Sequence, residues 1–367
     1  MLVFVEGLPG AGKSTNSGLL YRQFERNGFK TRWVHELDRP HPVLFFNEAC
    51  LTMDEYQNWK NRHNLVHSFM DNLVQIREQT VGIDLLELSW NYQKDISEKA
   101  FIELQEKDAW NCTVEEYMDI ALEKWRVFAK KAAEEPEQVV LLDSCIFQYQ
   151  IFTFQLANAP KHMLAHFTDA LWEIVMPLQP KLIMLYRNSV TDAIDHLRQV
   201  RGEAFFQLIW NRDRHRPYYM HRPDQVDSYF DFLADYHLLA QELYEKAPCP
   251  KLSIDVTSGD WPIYEHQLLS FCGLTPIQDT PTTFDEGEFS NSQLGLTLKV
   301  ERIADEYFMI DPSGHPHKLH PRSSKEFYIR DLPVILTMDS ENKIIMGGSD
   351  LISRWTETGL IYQRKDI

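Results

Sequence analysis

Five short apolar runs alternate with longer segments of helical period along the first 275 residues. Each run is hydrophobic almost throughout, which is typical of strands covered on both faces of a parallel sheet. The runs cover residues 2–5, 30–34, 138–142, 181–186 and 251–255. Because strands and helices alternate, the pattern predicts an α/β fold with a five-stranded parallel sheet.

The segments between the runs carry helix signals. A helix is predicted over residues 13–26, where Asn27-Gly28 ends it, and another over 113–133, where Thr113 and Glu116 have the spacing of a capping box. A third is predicted over 191–200. Residues from about 40 to 137 are mainly helical in pattern and form a large insertion between the second and third strands.

The composition changes after residue 275. Residues 276–293 are polar and rich in Pro, Thr, Asp and Glu, which indicates a linker. Residues 294–367 contain short alternating runs separated by turn signals, which predict a small β-rich domain. The expected organisation is therefore a domain over 1–275, a linker and a C-terminal β-rich domain.

A glycine-rich segment joins the first predicted strand to the first predicted helix. It matches the phosphate-binding (P-loop, or Walker A) pattern G-x-x-x-x-G-K-[ST] in the strand-to-helix context that the pattern requires. Converging backbone amides and a helix N-terminus hold phosphate oxygens, the lysine reaches the β and γ phosphates, and the serine hydroxyl binds Mg²⁺. The segment predicts binding of ATP by Gly7, Pro9, Gly10, Ala11, Gly12, Lys13, Ser14 and Thr15.

Charged residues follow three of the other predicted strands. Since ligands bind at the carboxyl ends of parallel strands, these residues are expected near the phosphate loop. Glu36 or Asp38, after the second strand, is the candidate general base, and Asp143, after the third, is the candidate partner of Ser14 at Mg²⁺. Arg187, after the fourth, is a candidate phosphate clamp.

A basic segment follows the fourth strand. Residues 198–222 contain six arginines against Glu203 and Asp213 only, although the whole chain has 37 Lys and Arg against 54 Asp and Glu. We interpret about 198–222 as a lid whose arginines neutralise transferring phosphate, and the alternative is that they pair with neighbouring acids. The arginines with a candidate catalytic role are Arg212, Arg214 and Arg216.

These residues resemble those of the deoxynucleoside kinase and thymidylate kinase group. The likeness is carried by Val3-Phe4-Val5-Glu6-Gly7 with the phosphate loop, the acidic end of strand two, Leu142-Asp143-Ser144, and Leu185-Tyr186-Arg187-Asn188-Ser189 before an arginine-rich segment. The resemblance implies a sheet of order 2-3-1-4-5, Glu36 as the favoured base, and a lid drawn from Arg198, Arg201, Arg212, Arg214 and Arg216. The chain departs from the group at Ser144-Cys145-Ile146, where an arginine is usual, in its longer insertion and in its C-terminal domain.

Net charge and cysteine usage narrow the classes of partner. The formal charge of −17 opposes non-specific binding of nucleic acids, and five cysteines without a C-x-x-C pair indicate neither a disulfide framework nor a zinc knuckle. No apolar stretch approaches 18 residues, so we expect a cytoplasmic protein that is not inserted in a membrane. A homodimer is possible, and the sequence does not decide the oligomeric state. His315, His317 and His320 are interpreted as loop residues rather than as metal ligands.

Taken together, the pattern predicts an ATP- and Mg²⁺-dependent phosphotransferase that acts on a small-molecule acceptor, with nucleosides and nucleotides among the candidates. One alternative is a nucleotide-dependent switch or ATPase that signals to a protein through the C-terminal domain. Another is a kinase whose acceptor is a peptide or an antibiotic. A GTPase is disfavoured, because Asp255-Val256-Thr257-Ser258 stands where a guanine-binding Asn-Lys-x-Asp motif is expected.

Overall fold

A computed structural model describes residues 1–63, 70–280, 282–339 and 343–365, apart from the side chains of residues 71 and 72. It contains a five-stranded parallel sheet, a three-stranded antiparallel sheet and a closed eight-stranded antiparallel barrel. The α/β class and the β-rich C-terminal domain are thus confirmed. Among the described residues, no helix has both the length and the apolar character needed to cross a membrane.

The strands and helices are numbered here in chain order. The strands are β1 (Leu2–Gly7), β2 (Thr31–Val34), β3 (Glu48–Thr52), β4 (Val74–Ile76), β5 (Thr80–Asp84), β6 (Val139–Asp143), β7 (Lys181–Tyr186), β8 (Lys251–Asp255), β9 (Gly287–Asn291), β10 (Leu296–Ile303), β11 (Glu306–Ile310), β12 (Pro316–Pro321), β13 (Glu326–Ile329), β14 (Val334–Met338), β15 (Lys343–Gly348) and β16 (Ile361–Arg364). The helices are α1 (Lys13–Arg26), α2 (Met53–Arg62), α3 (Met70–Leu73), α4 (Leu85–Asn91), α5 (Glu98–Gln105), α6 (Val114–Glu134), α7 (Gln148–Leu156), α8 (Lys161–Val175), α9 (Val190–Arg201), α10 (Glu203–Asp213), α11 (Ser228–Lys246) and α12 (Trp261–Cys272).

The parallel sheet has the order β2-β6-β1-β7-β8, and each of its pairs is parallel. Alternate residues of β1 enter two separate apolar cores, with Phe4 in one and Val5 in the other, as expected for a sheet covered on both faces. Val5 pairs with Asp143 of β6, and Gly7 pairs with Leu185 of β7. The ends of these three strands therefore meet at one edge.

The insertion between β2 and β6 contains more than helices. It carries α2 to α6 together with the small antiparallel sheet β3-β5-β4, which the apolar pattern did not indicate. Its strands have three to five residues, and such short runs carry little periodic signal. The capping box of α6 is present, since the Thr113 hydroxyl accepts from the amide of Glu116 and the Glu116 carboxylate accepts from the amide of Thr113.

The barrel begins inside the segment that the sequence indicates as a linker. Strand β9 pairs with both β10 and β16 and so closes the barrel. Its only large apolar residue is Phe289, which is buried in the barrel core. A single apolar position cannot produce the alternating pattern that predicts a strand. The interior is filled by side chains such as Leu298, Leu336 and Tyr362, which are fully buried.

The barrel packs against α1, the helix that follows the glycine-rich segment. The Arg22 guanidinium donates to the backbone carbonyl of Arg330 over 3.3 Å, and the same carbonyl faces Gly18 one turn earlier. The Tyr328 hydroxyl donates to Glu25, and the rings of Tyr21 and Tyr328 meet edge to face at 5.8 Å. One face of α1 is thus covered by the barrel.

The C-terminal domain also forms backbone hydrogen bonds with the segment that follows β2. Asp38 forms an antiparallel bridge with Leu351, and the amide of Arg39 donates to the carbonyl of Asp350 over 2.8 Å. The amide of Ile352 returns a bond to the carbonyl of Leu37 over 3.0 Å. We call residues 35–39 the linking segment, because they leave the parallel sheet and pair with the barrel.

Candidate active site

The glycine-rich loop between β1 and α1 has a backbone shape that requires glycine. Gly7, Gly10 and Gly12 have φ values of 151°, 80° and 88°. A side chain on Gly7 would place its Cβ 2.3 Å from the carbonyl oxygen of Leu185, and one on Gly12 would lie 2.9 Å from the ring of Trp261. The loop therefore lies so close to the backbone of β7 and to the Trp261 side chain of α12 that these positions require glycine.

The loop presents unpaired donors at the start of α1. The helix begins at Lys13, its N-cap Gly12 offers no side-chain cap, and no acidic residue lies in the first turn. Within the described part of the chain, the amides of Gly10, Gly12, Lys13 and Ser14 donate to no protein acceptor. Amides that converge at the positive end of a helix dipole form a site for an anion.

Lys13 folds back over this loop. Its ammonium group donates to the carbonyl of Leu8 over 3.1 Å, and the residue is buried. Its positive charge opposes the rise in the pKa of two buried carboxyls, Glu6 and Asp143. The lysine therefore lies within electrostatic reach of the acidic groups at the same sheet edge.

Asp143 ends β6 and is fully buried. Its Oδ1 accepts from the Ser144 hydroxyl over 2.9 Å, whereas its Oδ2 has no hydrogen-bond partner. Burial raises the pKa of Asp143, and the neighbouring His35 and Lys13 act against that rise. Ser144 adopts a left-handed conformation with φ 63°, a strained geometry for a non-glycine residue that directs the chain away from the sheet edge.

His35 is a member of this site that the sequence did not single out. Its Nδ1 accepts from the amide of Leu37 over 3.1 Å, so the neutral ring carries its proton on Nε2. That nitrogen lies 3.2 Å from the hydroxyl of Ser14 and 3.9 Å from Oδ2 of Asp143. The available signal was its position directly after β2, at the same edge as Asp143.

The two candidate bases on the linking segment lie in different environments. Glu36 is half-buried and its Oε2 accepts from the side-chain amide of Gln148 over 2.8 Å, while the Oε1 of Gln148 has no partner. Asp38 is buried where the segment pairs with Leu351, and burial raises the pKa of Asp38 well above its ordinary value. Only Glu36 shares the sheet edge with Asp143, whose raised pKa it reinforces.

Glu6, also at this edge, fixes the start of α7. Its carboxylate accepts from the amides of Ile146, Phe147 and Gln148 over 2.7, 3.1 and 3.0 Å. Burial raises the pKa of Glu6 to about 7, and these three hydrogen bonds oppose the rise. Because Gln148 is the first residue of α7, Glu6 positions the side chain that contacts Glu36.

Arg187 lies just beyond the end of β7. Its guanidinium approaches the carbonyl of Thr257 at 3.5 Å, and its Nε has no hydrogen-bond partner. Leu185, two residues earlier, pairs with Gly7 at the start of the glycine-rich loop. Arg187 thus follows the strand next to the loop and has an unused donor.

Several arginines of the segment 198–222 pair with nearby acids. Arg212 makes a bidentate contact with the adjacent Asp213 over 2.7 and 2.6 Å. The other pairs are Arg198 with Asp195 and Glu203, Arg214 with Asp224 at 3.6 Å, and Arg222 with Asp235 at 3.1 Å. Four of the six arginines thus pair with acids, as in the alternative drawn from the sequence, although Asp213 is buried rather than at the surface.

Arg216 and Arg201 differ from the others. The guanidinium of Arg216 lies 4.8 Å from the ring centre of Trp110 in the insertion and pairs with no carboxylate among the described residues, while Arg201 is exposed at the end of α9. No hydrogen bond or ion pair joins an arginine of 198–222 to the glycine-rich loop in the described residues. Helix α9 itself does approach the loop, because Leu197 lies 3.1 Å from where a Cβ on Gly10 would stand.

Comparison with known proteins finds no matching family model and no matching curated protein. What the site can do is therefore judged from the residues at this edge of the sheet. The unpaired amides and the lysine can bind an anion, the hydroxyl and the orphaned carboxylate oxygen can bind a hard cation, and the second carboxylate can accept a proton.

Proposed function

We propose that this chain is an ATP- and Mg²⁺-dependent phosphotransferase that acts on a small-molecule acceptor. The observation that carries the proposal is the meeting of three features at one sheet edge. They are the unpaired amides of the glycine-rich loop, the Ser14 hydroxyl beside the orphaned Oδ2 of Asp143, and the separate carboxylate of Glu36.

The loop is the binding site for the phosphates of ATP in this proposal. Its free amides and the N-terminus of α1 accept phosphate oxygens, and the Lys13 ammonium exchanges its contact with the Leu8 carbonyl for the β and γ phosphates. Arg187, with its unused Nε, supplies a further donor from the neighbouring strand.

The oxygen atoms at the start of α1 and the end of β6 suit magnesium. Mg²⁺ prefers hard oxygen ligands and retains several waters, so the Ser14 hydroxyl and the free Oδ2 of Asp143 fit it directly or through water. When bound, the ion neutralises charge on the phosphates. The Nε2 proton of His35 points at Ser14 and keeps that hydroxyl oriented.

Glu36 takes the proton of the acceptor. It is half-buried, it is held by Gln148, and it lies on a different strand end from the loop, so an acceptor hydroxyl can lie between the two. The next residue of α7, Tyr149, packs its ring against Phe46 of the insertion at 5.4 Å. This aromatic pair beside Gln148 suits a flat acceptor such as a nucleoside.

Replacing Lys13 and Glu36 tests the assignment. We expect Lys13→Ala to abolish ATP turnover, and Glu36→Gln to lower kcat by about 100-fold or more while ATP affinity stays within about twofold. Asp38→Asn is the matched control, because Asp38 faces the barrel, and its kcat should remain within about twofold. Normal turnover in Lys13→Ala would refute the role of the loop, and equal losses in Glu36→Gln and Asp38→Asn would refute that of Glu36.

A screen of acceptors tests the substrate class. ATP consumption by the full chain is measured with nucleosides, nucleotides, sugars, aminoglycoside-like alcohols and peptides. Stimulation by a small molecule supports the proposal, and stimulation by peptides or aminoglycosides alone redirects it to those acceptors.

The linking segment favours one second candidate, a nucleotide-dependent switch. His35 contacts Ser14, and three residues later the chain pairs with Leu351 of the C-terminal unit, so a change at the site has a short route to the barrel. If the chain is a switch, it should hydrolyse ATP slowly, and no acceptor should increase the rate. The same screen therefore separates the two functions.

A further inference from the structure

A cluster of histidine and aspartate side chains lies at one end of the barrel, apart from the nucleotide site. Asp311 and His315 bound the turn between β11 and β12, His317 is the second residue of β12, and Asp331 follows β13. His315 directly precedes β12 and is two positions from His317. Their ring centres are 4.8 Å apart.

The cluster converges on a common point. One ligand atom from each of His315, His317 and Asp331 lies within 4.8 Å of the other two. The ligands of a tetrahedral zinc ion are about 3.4 Å apart at ordinary bond lengths. A closure of up to about 1.4 Å, which side-chain rotation supplies, therefore brings all three onto one ion.

His317 provides the second observation, because its buried ring lies between two carboxylates. The residue is only 6% exposed, its Nδ1 lies 3.0 Å from Oδ1 of Asp331, and its Nε2 has no hydrogen-bond partner. That Nε2 points toward Oδ2 of Asp311 at 3.6 Å. In the neutral ring with its proton on Nε2, that proton faces Asp311 and the lone pair of Nδ1 faces Oδ1 of Asp331, a repulsive contact that a cation bound by both atoms would relieve.

Two arrangements relieve that contact, a proton on Nδ1 or a metal ion. A proton would leave His315 without a role, although its ring stands against His317 and it is exposed at the rim, where an ion can enter. A histidine whose other nitrogen is held by a carboxylate is also the usual state of a metal-bound imidazole. The metal arrangement therefore accounts for more of the cluster.

We propose that His315, His317 and Asp331 bind one divalent transition-metal ion of the zinc class, with Asp311 as the adjoining carboxylate. Imidazole nitrogens favour zinc and its neighbours over magnesium and calcium, which prefer sites made of oxygen alone. The ion would tie the β11–β12 turn to residues 330–333, whose Arg330 carbonyl receives the bond from Arg22 of α1. The site does not depend on the proposed phosphotransferase activity.

Zinc binding by the full chain tests the proposal. The protein is stripped with EDTA, dialysed and titrated with Zn²⁺ in competition with a chromophoric chelator, and metal content is measured by mass spectrometry. We expect one site per chain with submicromolar affinity, weakened about 100-fold or more in His315→Ala and His317→Gln. His320→Gln is the matched control, since His320 lies on the same strand but pairs with Asp279.

Two results would overturn the proposal. One is the absence of any Zn²⁺ site tighter than about 10 μM in the unmodified chain, which would leave the proton as the buried cation. The other is unchanged affinity in His315→Ala relative to His320→Gln. If His317→Gln does not fold, His315→Ala still decides the question, because His315 is exposed and its loss opens no cavity in the core.

Discussion

Gly18 offers a sharp test of how the barrel packs on α1. It lies in the middle of that helix, and a Cβ built there would stand 2.0 Å from the backbone carbonyl oxygen of Arg330. The oxygen belongs to the main chain and also accepts from Arg22, so it cannot turn aside as a flexible side chain can. Gly18→Ala therefore forces the two units apart at this point.

The sign of the change in the free energy of unfolding shows whether the barrel is docked on α1. In an exposed helix, Gly→Ala stabilises by about 1 kcal/mol. Here the carbonyl must retreat by more than about 1 Å, at an overpacking cost of about 1–3 kcal/mol, and loss of the Arg22 hydrogen bond adds about 1 kcal/mol. We expect a net destabilisation of about 1–3 kcal/mol, or roughly 1–4 °C in Tm.

Differential scanning calorimetry measures this change, and limited proteolysis of residues 276–283 reports whether the barrel has loosened. Gly347→Ala is the control, because its Cβ would meet only the carbonyl of Ile335 at an ordinary 3.7 Å. A Gly18→Ala protein that melts about 1 °C or more above the unmodified chain, with unchanged proteolysis, would refute the docking of the barrel on α1.

Three further predictions concern buried charge. Burial raises the pKa of Glu6 to about 7, so between about pH 4.5 and 7 the folded chain binds one more proton than the unfolded chain. The free energy of unfolding therefore falls as the pH rises through that window. Glu6→Gln should flatten the pH dependence of unfolding by at most about 3 kcal/mol, and an unchanged profile in denaturant titrations would contradict this. Lys124→Met leaves buried Glu48 with Arg77 as its remaining ion-pair partner and should cost about 2–4 kcal/mol in urea unfolding, whereas a neutral effect would show that the Lys124–Glu48 pair contributes nothing. Asp143→Asn should lower Mg²⁺-dependent turnover about 100-fold while metal-free ATP affinity, measured by calorimetry, changes less than fivefold; equal losses in both would assign Asp143 to folding instead.

The sequence predicted those parts of the structure that depend on local pattern. The apolar runs located the five parallel strands, and the limits of α1 agree exactly in residues 13–26. Strand β9 was missed because Phe289 is its only large apolar residue. Its pairing with β10 and β16 is a tertiary contact that no local pattern encodes.

Candidate residues were predicted where a strand end identifies them, as for Asp143 and Glu36. The role of His35 depends on its distance from Ser14, which lies 21 residues away and is brought near by the sheet order. The pairing of Arg214 with Asp224 likewise depends on where the chain turns after α10. Such contacts follow from the fold and cannot be read from composition or spacing.

The linking segment has a consequence for the order in which the protein is made. Asp38 is bonded to a residue about 310 positions later, so the ribosome synthesises that partner roughly 15–60 s after the segment itself. Throughout that interval, the loop that carries Glu36 lacks residues 350–352, which bond to it in the folded protein. The newly made α/β unit therefore waits for the last part of the barrel before its acidic loop reaches its final shape, and slow translation of residues 276–350 would prolong the period in which that unit is incomplete.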